Sequence, residues 1–203
     1  AGGTITLSGV EDIILSGLVG ETQTTSLIDH AVTWNVYVTQ AKNVYVNATL
    51  NAVDLISFRA DNIVIQGDAE VLATSQGGSI DLRATADLLV SVAGVAETPA
   101  LIQADALVHL LGVTMSLDGQ ILASGSTGRV VINAVESATL FGEVLSTANL
   151  DLRAGVNPAW TTVKLLGALQ VSDLTGGDIL INGGTLQGGA DSNIVAGHNV
   201  TVQ

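Results

Sequence analysis

The chain contains no cysteine, which excludes a disulfide framework and any thiolate metal site. Aromatic residues make up only 3% of it, so a core has to be built from Val, Ile, Leu and Ala and has to be thin. Cations are equally scarce. Six Lys and Arg stand against nineteen Asp and Glu, a net charge of -13 that repels phosphate backbones and anionic lipid surfaces, so nucleic acid is not an expected partner. Mean hydropathy is positive, yet no stretch approaches the eighteen or more uninterrupted apolar residues of a spanning helix. The apolar runs are four to six residues long, short of the roughly ten that a membrane barrel strand needs, and membrane insertion is not expected. No signal peptide is visible, and a start at Ala1-Gly2-Gly3-Thr4 without Met reads as an interior or processed piece of a longer protein.

What the chain has instead is a recurring strand unit: a polar or small residue, then apolar, any, apolar, then a polar and a small residue. It reads N-V-Y-V-N-A at 43–48, N-I-V-I-Q-G at 62–67, S-I-D-L-R-A at 79–84, R-V-V-I-N-A at 129–134, N-L-D-L-R-A at 149–154 and D-I-L-I-N-G at 178–183. β-Branched runs of period two, bounded by Gly, Asn and Asp, specify strands, and recurrence near twenty residues specifies a solenoid. The second apolar residue of each unit gives a ruler: Leu7, Val46, Ile65, Leu82, Leu110, Ile132, Leu152, Ile181 and Val202. Its gaps are 39, 19, 17, 28, 22, 20, 29 and 21, and the first leaves room for an unmarked layer near Leu27. The expectation is an all-β parallel β-helix of nine to ten layers of roughly 20 residues, a single elongated segment spanning 1–203, with two or three short strands per layer and a length on the order of 45 Å. One helical candidate, Ala104 to Leu111, breaks at Gly112.

Gly77-Gly78, Gly125 with Gly128, Gly176-Gly177 and Gly183-Gly184 are the expected corners, where the chain turns sharply. The gaps of 28 and 29 hold both prolines, Pro99 in A-G-V-A-E-T-P-A and Pro158 in G-V-N-P-A-W-T-T. Inserted loops are therefore expected near 94–100 and 155–162, where repeat proteins place binding functions.

Candidate chemistry is sparse. Asp81 with Arg83 and Asp151 with Arg153 occupy the same outward slots about three layers apart, with His109 and Leu111, then Val131 and Asn133, between them. Surface ion pairs are the expected outcome. The alternative is a carbohydrate-active β-helix enzyme of polysaccharide-lyase type, using carboxylates and an arginine base. His30, His109 and His198 have no second ligand at metal-binding spacing, and no Gly-x-Ser-x-Gly elbow occurs, so no catalytic or metal residues are assigned. No cofactor is expected beyond incidental calcium on Asp-rich turns, because G-G-A-D-S-N at 188–193 is far from a tandem calcium roll. Tyr37 and Tyr45 fill the outward slot of two V-Y-V units. With Trp34, Trp160 and its neighbour Asn157 they form the candidate contact surface, suited to sugar rings or a neighbouring chain.

The strings N-V-Y-V-N-A-T-L-N-A, G-G-D-I-L-I-N-G-G and A-G-H-N-V-T-V-Q resemble the shaft repeats of bacterial filamentous-haemagglutinin-type large exoproteins, a resemblance that covers most of 35–203. The N-P-N-G-type motif of that family's secretion domain is not among these residues. The resemblance implies a right-handed coil and a secreted or cell-surface bacterial adhesin or filament. It implies partners that are neighbouring repeats or copies of the chain, meeting through ends or side faces, and surface glycans. With no catalytic cluster in view, a structural and adhesive role rather than an enzymatic one is the expectation.

Overall fold

A computed structural model describes residues 3–9, 11–16, 19–20, 33–90, 99–154, 162–172, 177–190 and 192–203; the side chains of residues 19, 20, 33 and 34 are outside that description. The described residues contain strands and no helix. Coil one holds β1 (Gly3–Ser8), β2 (Asp12–Ser16) and β3 (Val19–Gly20), and coil two holds β4 (Thr33–Gln40), β5 (Asn43–Asn47) and β6 (Thr49–Asn51). Coil three follows with β7 (Leu55–Ala60), β8 (Asn62–Ile65) and β9 (Glu70–Ala73), and coil four with β10 (Ser79–Ala84), β11 (Asp87–Val90) and β12 (Leu101–Ala104). In coils five and six the first two strands merge, giving β13 (Leu107–Leu117) with β14 (Gln120–Ala123), then β15 (Arg129–Leu140) with β16 (Glu143–Ser146). Coil seven is β17 (Asn149–Ala154), β18 (Thr162–Leu165) and β19 (Ala168–Val171). Coil eight is β20 (Asp178–Asn182), β21 (Thr185–Gly188) and β22 (Asn193–Val195), and β23 (Val200–Val202) opens a ninth.

Every pairing is parallel, and each joins one coil to the next. Face one stacks β1, β4, β7, β10, the first halves of β13 and β15, β17, β20 and β23. Face two stacks β2, β5, β8, β11, the second halves of β13 and β15, β18 and β21. Face three stacks β3, β6, β9, β12, β14, β16, β19 and β22. The molecule is a β-solenoid with three strands to a coil, and eight steps of about 4.8 Å make the stack about 38 Å long.

Two expectations are corrected by the register. Val46 and Ile65 lie on face two, whereas Leu7 and Leu82 lie on face one; the face-one partners are Val38 and Phe58. The face-one ruler is therefore Leu7, Val38, Phe58, Leu82, Leu110, Ile132, Leu152, Ile181 and Val202. Because β1 pairs directly with β4, no layer near Leu27 separates them on this face. The helical candidate is also strand: from Leu107 through Leu117 inward and outward residues alternate, with a register shift between Gly112 and Thr114 where the chain rounds the corner from face one to face two.

Inward slots form one continuous aliphatic core. Val108, Leu110, Val130 and Ile132 are fully buried, and Phe58 is the largest fully buried side chain. Each such side chain stabilises the fold by about 1.5–3 kcal/mol relative to exposure. The corners explain the glycines in two ways. Gly77 turns at φ 83°, a left-handed conformation that disfavours a Cβ. Between faces two and three, Gly119, Gly142 and Gly167 stack so closely that a Cβ on Gly142 would strike the Gly119 carbonyl, and one on Gly167 the Gly142 carbonyl. The expected inserted loops fall between β11 and β12 and between β17 and β18; residues 91–98 and 155–161 are outside the described set.

Candidate functional surface

Outward slots on face one gather most of the chain's positive charge. Arg59 is on β7, Arg83 on β10, Arg129 on β15 and Arg153 on β17, four of the six cationic residues. Strand alternation points them out while Phe58, Leu82, Val130 and Leu152 point in. Their side chains are 41% to 54% exposed, and they converge in pairs on two aspartates.

In the first clamp the Arg83 Nε lies 2.9 Å from both Asp81 carboxylate oxygens, and Arg59 Nη2 approaches Oδ2 at 3.7 Å. His109, in the same slot one coil on, places Nδ1 2.9 Å from Asp81 Oδ1. Its Nε2 is 3.1 Å from the amide nitrogen of Asn133 on the following coil. A carboxylate on one side and an amide N–H on the other assign the proton to Nδ1 and the acceptor role to Nε2, which satisfies both nitrogens of a neutral imidazole. Burial works to raise the Asp81 pKa, but hydrogen bonds from His109 and Arg83, with the charge of Arg83, outweigh it and hold the carboxyl below its ordinary value.

The second clamp is tighter. Arg153 grips Asp151 in two-pronged fashion, Nε to Oδ1 at 3.0 Å and Nη2 to Oδ2 at 2.7 Å, and Arg129 Nη2 is 3.4 Å from Oδ2. Asp151 is buried, and its hydrogen bond and charge raise the Arg153 pKa. The clamps lie three coils apart, about 14 Å along the axis, with Leu111 and Asn133 occupying the steps from Arg83 to Arg153. The expected spacing and the expected intervening residues are thus found. The Asp–Arg pairs do not converge on one cleft.

Elsewhere side chains also run from coil to coil. Asn43 donates to Asp12 and Asn62 to Asn43, each at 2.7 Å, and the Asp87 amide donates to Asn62. His198 Nδ1 lies 3.0 Å from Asp178 Oδ1, and this hydrogen bond, with one from the Asn199 amide, holds the Asp178 pKa below its ordinary value. Slot counting places His109 one layer from Asp81, as found, but does not show the hydrogen bond between them; the His198 partnership escaped the sequence reading because Asp178 is a full coil away. Arg59 and Arg129 were missed for a similar reason: Arg59 sits in L-I-S-F-R-A, which the ruler passed over, and Arg129 occupies the first slot of its unit.

The aromatic candidates are dispersed. Tyr37 is half-buried on face one and Tyr45 half-buried on face two, so a corner separates them. Trp34 belongs to β4, with its side chain outside the described set, and Trp160 and Asn157 lie outside the described residues. A groove of about 410 Å³ runs along the corner between faces one and two, lined by Arg59, Arg83, Asp61, Thr85 and Leu111 among others. Among the described residues no cluster of three or more His, Asp or Glu could hold a metal ion. Comparison with protein-family models, curated proteins and solved structures finds no match.

Proposed function

We propose that this chain is a structural and adhesive segment of a secreted or surface-anchored bacterial filament or adhesin, of the filamentous-haemagglutinin style, acting as a rigid shaft and an assembly surface. One observation carries the reading. The parallel layers stack over one continuous apolar core, while the arginines and aspartates of face one pair with one another in two separate clamps instead of converging on a reacting centre. Each layer contacts its neighbours, so length is set by the number of coils and stiffness by the ladders between them. The role is mechanical: to extend, to space and to present side faces.

Small-angle scattering of the purified chain tests this, with a rod of constant cross-section expected. A compact sphere overturns the shaft reading. The chain is also incubated with a panel of acidic polysaccharides, with and without calcium, and no unsaturated product is expected. Product that disappears in Arg83→Ala and Arg153→Ala would replace the structural reading with the lyase-type one.

A further inference from the structure

Face one and face three carry opposite charge at the same spacing. On face one the four arginines against two aspartates leave the outward slots of coils three to seven at +2, so the remainder of a chain of net charge -13 carries -15. Arg59 and Arg129 stand three coils apart, as do Arg83 and Arg153. On face three one outward column runs Glu70, Leu101, Gln120, Glu143, again three coils from carboxylate to carboxylate.

Those two glutamates have no cation of their own among the described residues. Glu70 accepts a hydrogen bond from the Thr49 hydroxyl at 3.2 Å, and Glu143 one from the Gln120 amide at 3.3 Å. The arginines have donors to spare: Arg83 uses only Nε on Asp81, and Arg59 and Arg129 touch their aspartates through Nη2 alone. Between the charges each face carries half-buried apolar slots, Leu107, Leu111 and Val131 on face one and Leu101, Leu122 and Leu145 on face three, interleaved with His109 and Asn133 on the first and Gln103 and Gln120 on the second. Because every coil repeats at the same spacing, two rods lying side by side keep both charge contacts and the apolar slots in step.

We infer that face one of one copy docks on face three of a second copy, with Glu70 and Glu143 seated at the two arginine clamps. This deepens the assembly-surface part of the proposed function and rests on that reading. The contact joins two different faces, so it does not close on itself as a twofold dimer does and propagates laterally. The face-three strands, two to four residues long over eight coils, give a contact of about 450 Å² per partner, just under the lower bound of roughly 1,000 Å² in total for a specific interface. The association is accordingly weak, concentration-dependent and sensitive to salt.

Sedimentation velocity of the 203-residue chain at rising concentration tests it. Association is expected at low salt and its loss near 1 M NaCl, where the Debye length falls to about 3 Å. Arg59→Glu with Arg129→Glu, and separately Glu70→Lys with Glu143→Lys, are each expected to weaken it by about tenfold or more. Mixing the two variants restores association, because each reversed face meets its complement. The lysine variant discriminates most sharply. It lowers the net charge from -13 to -9, so general repulsion makes it associate more strongly, and the proposed interface makes it associate less.

Circular dichroism confirms folding. A reversed-charge variant that does not fold is replaced by its Gln counterpart, for which weakening is still expected. A wild-type chain that stays monomeric, a lysine variant that associates better, or mixing without rescue overturns the proposal. A monomeric rod would do so while leaving the shaft reading standing.

Discussion

The same cross-coil pair, aspartate to histidine, occurs in the interior of the rod and in its last complete coil. Asp81 and His109 meet at 2.9 Å with side chains 18% and 21% exposed; Asp178 and His198 meet at 3.0 Å with 51% and 59% exposed. Geometry is nearly identical and environment is not. Asp81 and His109 have further coils of this chain on both sides, whereas within the 203 residues Asp178 and His198 are covered from one side. The same holds for the core slots: Leu110 is fully buried, while Val202, in the matching slot of β23, is 54% exposed. In a solenoid, position in the stack rather than local sequence decides what a contact contributes.

The largest expected contrast comes from truncating the core. Leu110→Ala should lower stability by about 3–4 kcal/mol and Val202→Ala by less than about 1 kcal/mol, read from denaturant midpoints. Equal losses would mean that the outer layer is as well packed as the middle. Next come the corners. Gly142→Ala forces a Cβ into the Gly119 carbonyl and should cost about 3 kcal/mol, while Gly3→Ala, with nothing within 4 Å of the added carbon, should change the melting temperature little.

The ion pairs follow in size. Asp81→Asn is expected to cost about 1–2 kcal/mol at neutral pH, since it removes the charge that two arginines share and weakens the acceptor of the His109 hydrogen bond. The folded-state pKa of Asp81 lies below its unfolded value, so this contribution is present above about pH 4 and is lost as pH falls through the folded value. The difference between wild type and Asp81→Asn should therefore vanish in acid, and a difference that persists at low pH would mean the side chain acts through packing alone. Asp178→Asn is the smallest effect: the direction of its shift is the same, but the pair is solvated and the melting midpoint should not move.

Strand and solenoid were legible because β-branched alternation and a twenty-residue recurrence leave little else for the chain to do; the expected nine to ten layers came out slightly too many, because the described coils number eight with one strand of a ninth. Register was harder. N-V-Y-V-N-A and S-I-D-L-R-A obey one local rule but lie on different faces, and only the pairing of β5 with β8 and of β7 with β10 separates them. Ala104 to Leu111 stood as the helical candidate because two of the three outward slots at the start of β13, Leu107 and Leu111, are apolar too, which blurs the alternation. The column Gly119, Gly142, Gly167 was invisible because each is a lone glycine, in D-G-Q, F-G-E and L-G-A, whose reason lies in the coil next to it. The Asp–Arg slots and the place of His109 between them were readable; their second arginines and the hydrogen bond from His109 to Asp81 were not, since a chain read in one dimension does not show which groups meet across coils.

The ladders between coils also have a consequence for force. Their hydrogen bonds point along the long axis, so a pull from end to end loads the strand pairs of one layer together and the successive layers one after another. Such a rod is as strong as its least-bonded layer, and adding coils extends its reach without raising the load it bears. Between coils five and six the single pair β13 and β15 contributes ten register partners across faces one and two, whereas between coils two and three β4 with β7 and β5 with β8 contribute four each, in two separate pairs. Tension should part such interrupted layers before the continuous strands β13 and β15 and the charged face they carry.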